Sequence, residues 1–406
     1  MRGTAVVVGA SLAGARTAQF LRAGGFDGRI VLIGDEPERP YMRIALSKDY
    51  LAGRYQRRAL DVHEAGWYER NGIELHTGTR AHALDPVAHR VSTDTGERFD
   101  YDTCLLATGL STRRLDVPGA TSADVHYVRT AAESRRLHMR LSPGARVAVI
   151  GAGWLGLEVA AAARTLGCEV TVVARSGPPL ARTLGESMAR MYLAEHRAAG
   201  VDVRTGAAVS AVVADGDRVT GVRLDDGAVV AADVVVAAVG GVPNSALAVH
   251  AGLDVAADGG VLVDEHLRTS DPDVYAAGDV ASAFHPGYGE HLRLEHWANA
   301  LNQPAVAARS MLGEGARYER LPYFFSDQWG LGMEFSGRVR PGAETVLRGD
   351  ADERRFIAFW VRDGVVEAGM NVNVWDSTVA IQQLIRSGRR VDTARLVDER
   401  VPLSQL

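Results

Sequence analysis

The sequence is nearly without lysine. Of its 45 basic side chains, 44 are arginine and one, Lys48, is lysine. Arginine supplies a permanent charge, whereas lysine offers a compact, titratable ammonium. A chain that keeps a single lysine either needs that ammonium or carries a solvated survivor, and composition alone does not separate the two. Cysteine is almost as scarce. Cys104 and Cys168 lie far apart, which excludes a disulfide framework and a cysteine-based metal motif and fits a reducing compartment. No metal site is expected. No apolar run reaches the roughly 18 residues of a membrane span. The first strand begins almost at once, which leaves no room for a signal peptide, so a cytoplasmic location is expected. A net charge of −5 gives no basic surface for nucleic acid. The length, 406 residues, allows two or three domains, and a 47% hydrophobic and 23% charged composition is ordinary for a globular protein.

Glycine, by contrast, is abundant and placed. Ala5-Val6-Val7-Val8 reads as a short buried strand. Gly9-x-Ser11-x-x-Gly14 follows, then a helix-compatible run from Ala13 to Leu21. In a dinucleotide-binding turn the first glycine makes the bend and the second admits the pyrophosphate. The third lets helix pack on strand, and the helix N-terminus offers N–H groups to the phosphates. Ser11 replaces the second glycine. Asp35 and Glu36 close the next strand, Ile30 to Gly34, where a carboxylate can accept ribose hydroxyls. A second copy is complete: strand Arg146 to Ile150, then Gly151-Ala152-Gly153-Trp154-Leu155-Gly156, then a helix from Leu157 to Leu166. Two such turns, each between strand and helix, imply two dinucleotides exchanging electrons.

The halves repeat further. Cys104 to Gly109 is a buried strand ending in Ala107-Thr108-Gly109, and Val234 to Val239 is its echo, ending in Gly240-Gly241. Asp35 to Gly53 reads as a loop, and Thr95-Gly96 as a hairpin turn. Strand Val274 to Ala277 delivers Gly278-Asp279 beside the start of a helix. There Asp279 is either a ligand-binding carboxylate or a helix N-cap. The expected organisation is residues 1–115, a first nucleotide-binding part; 116–241, a second nucleotide-binding unit; 242–317, a segment that carries Asp279; and 318–406, a C-terminal domain.

Several stretches carry a resemblance over essentially the whole chain: the first turn, PYMRIALSK, the ATG strand, YVRT, GAGWLGLE, TSDPDVYAAGDVA, LEHWANALNQ, FFSDQW and ARLVDERVPL. The chain resembles the FAD-dependent NAD(P)H:ferredoxin reductases of oxygenase systems. The resemblance implies an α/β, glutathione-reductase-like fold with Rossmann-type FAD and NAD domains and a C-terminal α+β domain. It implies FAD and NAD(P)H as cofactors. The implied partner is an iron–sulfur ferredoxin, expected to be of the two-iron, two-sulfur type with other clusters open. Position by position, Gly9, Ser11, Ala13 and Gly14 would meet the FAD pyrophosphate. Asp35 and Glu36 would serve the adenosine ribose, Ala81 the adenine, and Arg43, Ala107, Thr108, Gly109 and Arg129 would flank the cofactor. Gly278 and Asp279 would bind the ribityl or phosphate region, and Trp297 would lie against the isoalloxazine. Gly151, Gly153, Trp154, Leu155, Gly156 and Gly240 would serve the nicotinamide nucleotide. Lys48 and Glu158 would pair near flavin N5 as the catalytic residues; read alone, Glu158 is an ordinary helix residue.

The chain departs from the family at Ile44-Ala45, where prolines are usual, and around Asn373-Val374-Trp375, where a proline is usual. It lacks the Cys-x-x-x-x-Cys pair of disulfide reductases and the single cysteine of flavin peroxidases, so thiol chemistry is not expected. A rubredoxin reductase or a cysteine-independent NADH oxidase is the alternative enzyme. A redox-sensing binding protein like apoptosis-inducing factor would need a basic surface and a targeting segment, neither of which is evident. The strand Val170 to Val173 ends in Ala174-Arg175-Ser176 where the family commonly has a carboxylate, and Arg175 with Arg182 points toward NADPH; the alternative is that Arg175 faces solvent and NADH is used through backbone contacts.

Overall fold

The structure is a computed structural model that describes residues 3–216 and 218–406. The chain forms two compact units. Met1–Ile44, Gln56–Ser111 and Gly241–Arg320 make the first, and Ala45–Tyr55, Thr112–Gly240 and Leu321–Leu406 the second.

The first unit is built on a parallel five-stranded sheet. Its order is Val274–Ala276, Thr103–Leu106, Thr4–Val8, Arg29–Ile33, Ile73–His76. A parallel sheet covered on both faces needs continuously apolar strands rather than alternating ones. Ala5–Val8 and Ile30–Ile33 are accordingly buried throughout. Helix Leu12–Ala23 follows the first strand, and its buried face, Ala13, Gly14, Ala15, Thr17, Ala18 and Leu21, is mostly small. That lets helix Trp297–Met311 pack closely through Ala307 and Ala308. The predicted hairpin at Thr95-Gly96 joins Arg90–Thr93 to Arg98–Asp100.

The second unit repeats the plan in the order Asp202–Thr205, Glu169–Ala174, Arg146–Ile150, Val234–Ala237, Val125–His126, again parallel. Its C-terminal part is an antiparallel sheet in the order Tyr323–Gln328, Leu331–Gly337, Val365–Val372, Arg355–Arg362, Glu344–Asp350. Helix Thr378–Ser387 packs on that sheet. Leu157, Met188 and Tyr192 share one core with Phe335, Phe356, Trp360 and Met370, which ties the nucleotide-binding part to the C-terminal part.

Three sequence expectations change. The helix expected after Asp279 is a strand, Ala281–His285, which pairs with Val261–Val263. Sheet pairing wins there over the helical propensity of an alanine-rich segment. The strands expected to reach Gly109 and Val239 leave their sheets after Leu106 and Ala237. Residues 45–53 are not loose loop. Their backbone closes successive turns, with Lys48 and Tyr50 N–H donating to the Ala45 carbonyl and Ala52 N–H to that of Lys48.

Candidate functional site

In the first unit the glycine turn is packed to the limit. Gly9 has φ +118°, and a Cβ there would lie 2.1 Å from the Ala107 carbonyl oxygen; one on Gly14 would lie 2.0 Å from the Gly9 oxygen. Ser11 is the N-cap of the following helix, yet its side chain makes no capping bond; its Oγ reaches the Tyr41 carbonyl at 3.4 Å. The first-turn N–H groups are therefore left for an outside acceptor. Asp35 is exposed just past the second strand, 3.7 Å from Arg80. Glu36 is engaged differently: it accepts from Tyr41 Oη and from Arg43 Nη2, both at 2.5 Å. Burial opposes the charge on Arg43, but Tyr41, Glu36 and Asp279 outweigh it and hold the guanidinium above its usual range. Gly278, at φ +82°, faces Ala13, which a Cβ would meet at 3.3 Å. Its N–H donates to Gln303 Oε1 at 2.7 Å, while Gln303 Nε2 is buried with no partner among the described residues. Trp297 opens its helix, and Ala81 opens the strand Ala81–Asp85.

Asn244, which the sequence reading missed, clamps the ATG segment. Thr108 Oγ1 donates to its carbonyl at 2.7 Å and its Nδ2 donates to the Thr108 carbonyl at 2.9 Å. Its own N–H donates to the Gly109 carbonyl. An uncapped helix start, two glycines with no room for a Cβ, an exposed Asp35 and an unsatisfied buried amide are the features an extended phosphate-bearing nucleotide requires. These residues fit FAD.

In the second unit Gly151 has φ +106°, and a Cβ there would meet the Ala238 oxygen at 2.2 Å; one on Gly156 would meet the Gly151 oxygen at 2.0 Å. Gly153 is the N-cap and faces open space. The helix starts at Trp154 rather than Leu157, because the turn itself supplies the first helical residues, Trp154 and Leu155. Gly151 and Gly153 border a cleft of about 1040 Å3. Arg175 and Arg182 line it, and so do Arg113 and Arg114, which sequence reasoning missed. Gly240, at φ +101°, accepts from Arg113 N–H. Arg129 precedes helix Ala131–His138, and its N–H donates to Glu133 Oε2 at 3.0 Å, beside a Thr130–Glu133 capping box.

Lys48 meets Glu158 in this same unit. The turns around Lys48 are pinned by Ser134 Oγ, which donates to the Leu46 carbonyl at 2.7 Å, and by His138 Nδ1, 2.8 Å from the Leu51 oxygen. Lys48 Nζ lies 3.1 Å from Glu158 Oε1, with side-chain exposures of 15% and 11%. Ser47 Oγ donates to Glu158 Oε2 at 2.6 Å and Ser326 Oγ to Oε1 at 2.9 Å. Lys48 Nζ also sits 5.2 Å from the Phe325 ring centroid. Behind Ser326, Gln328 Nε2 donates to its Oγ, and Gln328 Oε1 lies 2.8 Å from His196 Nε2. That oxygen only accepts, so Nε2 carries the proton. Burial lowers the His196 pKa against the opposing pull of Gln328. Ser47 and Ser326 were legible as neighbours of Lys48 and Phe325; nothing in the sequence pointed to His196.

Both cysteines are buried and free, and burial pushes both thiols up. Among the described residues no cluster of three or more His, Cys, Asp or Glu could hold a metal, and no helix is long and apolar enough to cross a membrane.

A family model for pyridine nucleotide-disulphide oxidoreductases matches residues 3–304. The chain belongs to that family. A second model, reductase C-terminal, matches residues 323–406. Among relatives, the ferredoxin–NAD(+) reductase component of the anthranilate 1,2-dioxygenase system of Burkholderia cepacia is 41% identical over 98% of both chains. A 5,5′-dehydrodivanillate O-demethylase ferredoxin reductase subunit from Sphingobium is 38% identical over 99% of this chain and 97% of its own. The reductase in a covalent putidaredoxin reductase–putidaredoxin complex superposes with TM-score 0.95 at 34% identity, over 99% of this chain and 97% of that one. The α/β oxidoreductase fold with its added C-terminal domain is thus the family's own. In this member of a family named for disulphide chemistry, the two thiols are suppressed in the interior.

Proposed function

We propose that this chain is an NAD(P)H-dependent ferredoxin reductase serving an oxygenase, whether a cytochrome P450 or a Rieske dioxygenase, working in the cytoplasm with a two-iron, two-sulfur ferredoxin. The domain limits 1–115, 116–241, 242–317 and 318–406 belong to the same reading. The observation that carries it is the Lys48–Glu158 pair, clamped by two serine hydroxyls in a chain with no reactive thiol.

Bound FAD would supply the chemistry, hydride acceptance from the nicotinamide and one-electron release. The chain's residues bind and position. The helix after Gly9 would receive the pyrophosphate, Asp35 would accept from the adenosine ribose, and the Gly278-Asp279 turn would hold the ribityl end. Arg43, whose charge Asp279 favours, would sit beside that turn, and Trp297 would serve the ring system. Glu158 fixes the Lys48 ammonium, which stabilises negative charge where it accumulates. Buried thiols leave electrons no dithiol to reach.

The test is a reconstituted assay. The purified protein is expected to hold one FAD per chain and to reduce cytochrome c from NAD(P)H only when a two-iron, two-sulfur ferredoxin is added. A folded protein that binds no FAD overturns the reading; so does cytochrome c reduction that ferredoxin fails to accelerate.

A further inference from the structure

We infer that the reducing nucleotide of this enzyme is the 2′-phosphorylated one, NADPH, and that Arg175 selects it. This rests on the reading of the second unit as the nicotinamide-nucleotide site. The parallel sheet dictates where the nucleotide's adenosine end must lie. The pyrophosphate belongs at the turn Gly151–Gly156, and the adenosine ribose over the C-terminal end of the adjoining strand, Glu169–Ala174. A site selective for NAD ends that strand in a carboxylate, which accepts from the ribose hydroxyls and repels a 2′-phosphate. Here the strand ends in Ala174, which is buried and carries no charge.

The residues after it are held for binding. Ala207 N–H donates to the Ala174 carbonyl at 3.1 Å and Gly206 N–H to that of Ser176 at 3.2 Å, so the backbone is fixed on both sides of Arg175. The Arg175 side chain is exposed and lines the cleft. Arginine is plentiful in this chain, so exposure alone decides nothing. Several arginines that open strands are paired with a carboxylate: Arg29 with Glu74, Arg90 with Asp100, Arg146 with Asp233. Arg175 instead follows the end of its strand and lines the cleft. Among the described residues neither Arg175 nor Arg182 has an ion-pair partner. Arg113 and Arg114 line the same cleft, and Asp116 is the one carboxylate lining it. The cleft therefore carries an uncompensated positive field, and a guanidinium fork suits the geometry of a phosphate monoester. Ser176 adds a hydroxyl beside it.

Two measurements on the FAD-loaded protein test this together. The first is kcat/KM for NADPH and NADH with ferricyanide as acceptor. The second is calorimetric titration with 2′-phospho-ADP-ribose and with ADP-ribose, which requires no turnover. Wild type is expected to favour NADPH and the 2′-phosphorylated fragment by roughly tenfold or more. Arg175→Ala lowers both ratios by roughly tenfold to a hundredfold, Arg175→Lys by less, and Ala174→Glu reverses them. Added salt weakens the phosphorylated ligand more than the other. Equal binding of the two fragments by wild type overturns the inference, as do ratios that Arg175→Ala leaves unmoved. If neither donor reduces the flavin, the reductase reading fails instead, and the fragment titrations still decide the role of Arg175.

Discussion

Glu158 lies on the first turns of a helix, where a surface glutamate would be solvated, yet an ammonium and two hydroxyls surround it. Removing one partner of a largely buried pair leaves the other uncompensated, so the members have unequal value. In Lys48→Met the positive charge disappears while Glu158 keeps both serines. Flavin bleaching by NADPH in a stopped-flow instrument is expected to slow on the order of a hundredfold. FAD content should stay unchanged, because the glycine cradle is untouched. An unaltered bleaching rate would return Lys48 to the solvated-lysine reading. In Ser326→Ala, Glu158 loses one of three donors at a cost of about 1 kcal/mol, and the rate should fall only a few-fold. Lys48 and Glu158 were each visible in the sequence, as a lone lysine and a glutamate after a glycine turn. Their pairing was implied only through the family, since 110 positions separate them and spacing says nothing about such a contact.

At the scale of elements, the two glycine turns are duplicates that fail separately. Gly14→Ala would force a methyl to within 2.0 Å of the Gly9 oxygen, and Gly156→Ala to within 2.0 Å of the Gly151 oxygen. The first is expected to yield protein depleted of FAD, read from its absorbance. The second should keep its colour and bind 2′-phospho-ADP-ribose at least about tenfold more weakly, since overpacking a rigid turn costs roughly 1–3 kcal/mol. Loss of flavin from both variants would mean that the turns are not independent. The hairpin Trp329-Gly330 offers a second element-scale test. Gln328 pairs with Leu331 across it, and both turn residues have positive φ, +55° and +74°. Asparagine and glycine favour such a turn; a bulky residue there is strained. The Trp329 indole stands edge-on to His196, its Nε1 buried with no partner among the described residues. Strain retained at one position points to a use. Trp329→Ala is expected to slow ferredoxin-dependent cytochrome c reduction more than ferricyanide reduction. Equal losses with the two acceptors would assign the ring to packing.

Over the whole molecule, one buried histidine and two half-buried ones give stability a defined pH dependence. Burial is the leading cause that lowers the pKa of His63, His126 and His196 below the ordinary 6.5. The unfolded chain takes up protons at 6.5 and the folded chain only lower, so stability is full above pH 6.5 and declines as pH falls through that value. Carboxylates held down by partners, such as Glu74 and Asp258, act only below their ordinary values of 4.5 and 3.8. The interval from pH 7.5 to 5.5 thus isolates the imidazoles. The melting temperature is expected to drop across it, and to drop less in His196→Gln. An identical slope in that variant would remove His196 from the account.

The sequence by itself determined what is local and periodic. Apolar runs marked the buried parallel strands, and two glycine turns between strand and helix marked the nucleotide sites, because turn chemistry is written in consecutive residues. Its two distant cysteines also argued against a disulfide framework and a cysteine-based metal motif. Tertiary structure decided what depends on residues distant in the chain. It made the segment after Asp279 a strand by giving it Val261–Val263 to pair with. It turned Glu36 toward Tyr41 and Arg43. It brought Arg113 and Arg114 to the cleft of Arg175. It also set Ser47, Ser326, Gln328 and His196 behind the Lys48–Glu158 pair. The physical reason is common to all of these: a side chain far along the chain reaches a charge or an open sheet edge only after the intervening residues have folded.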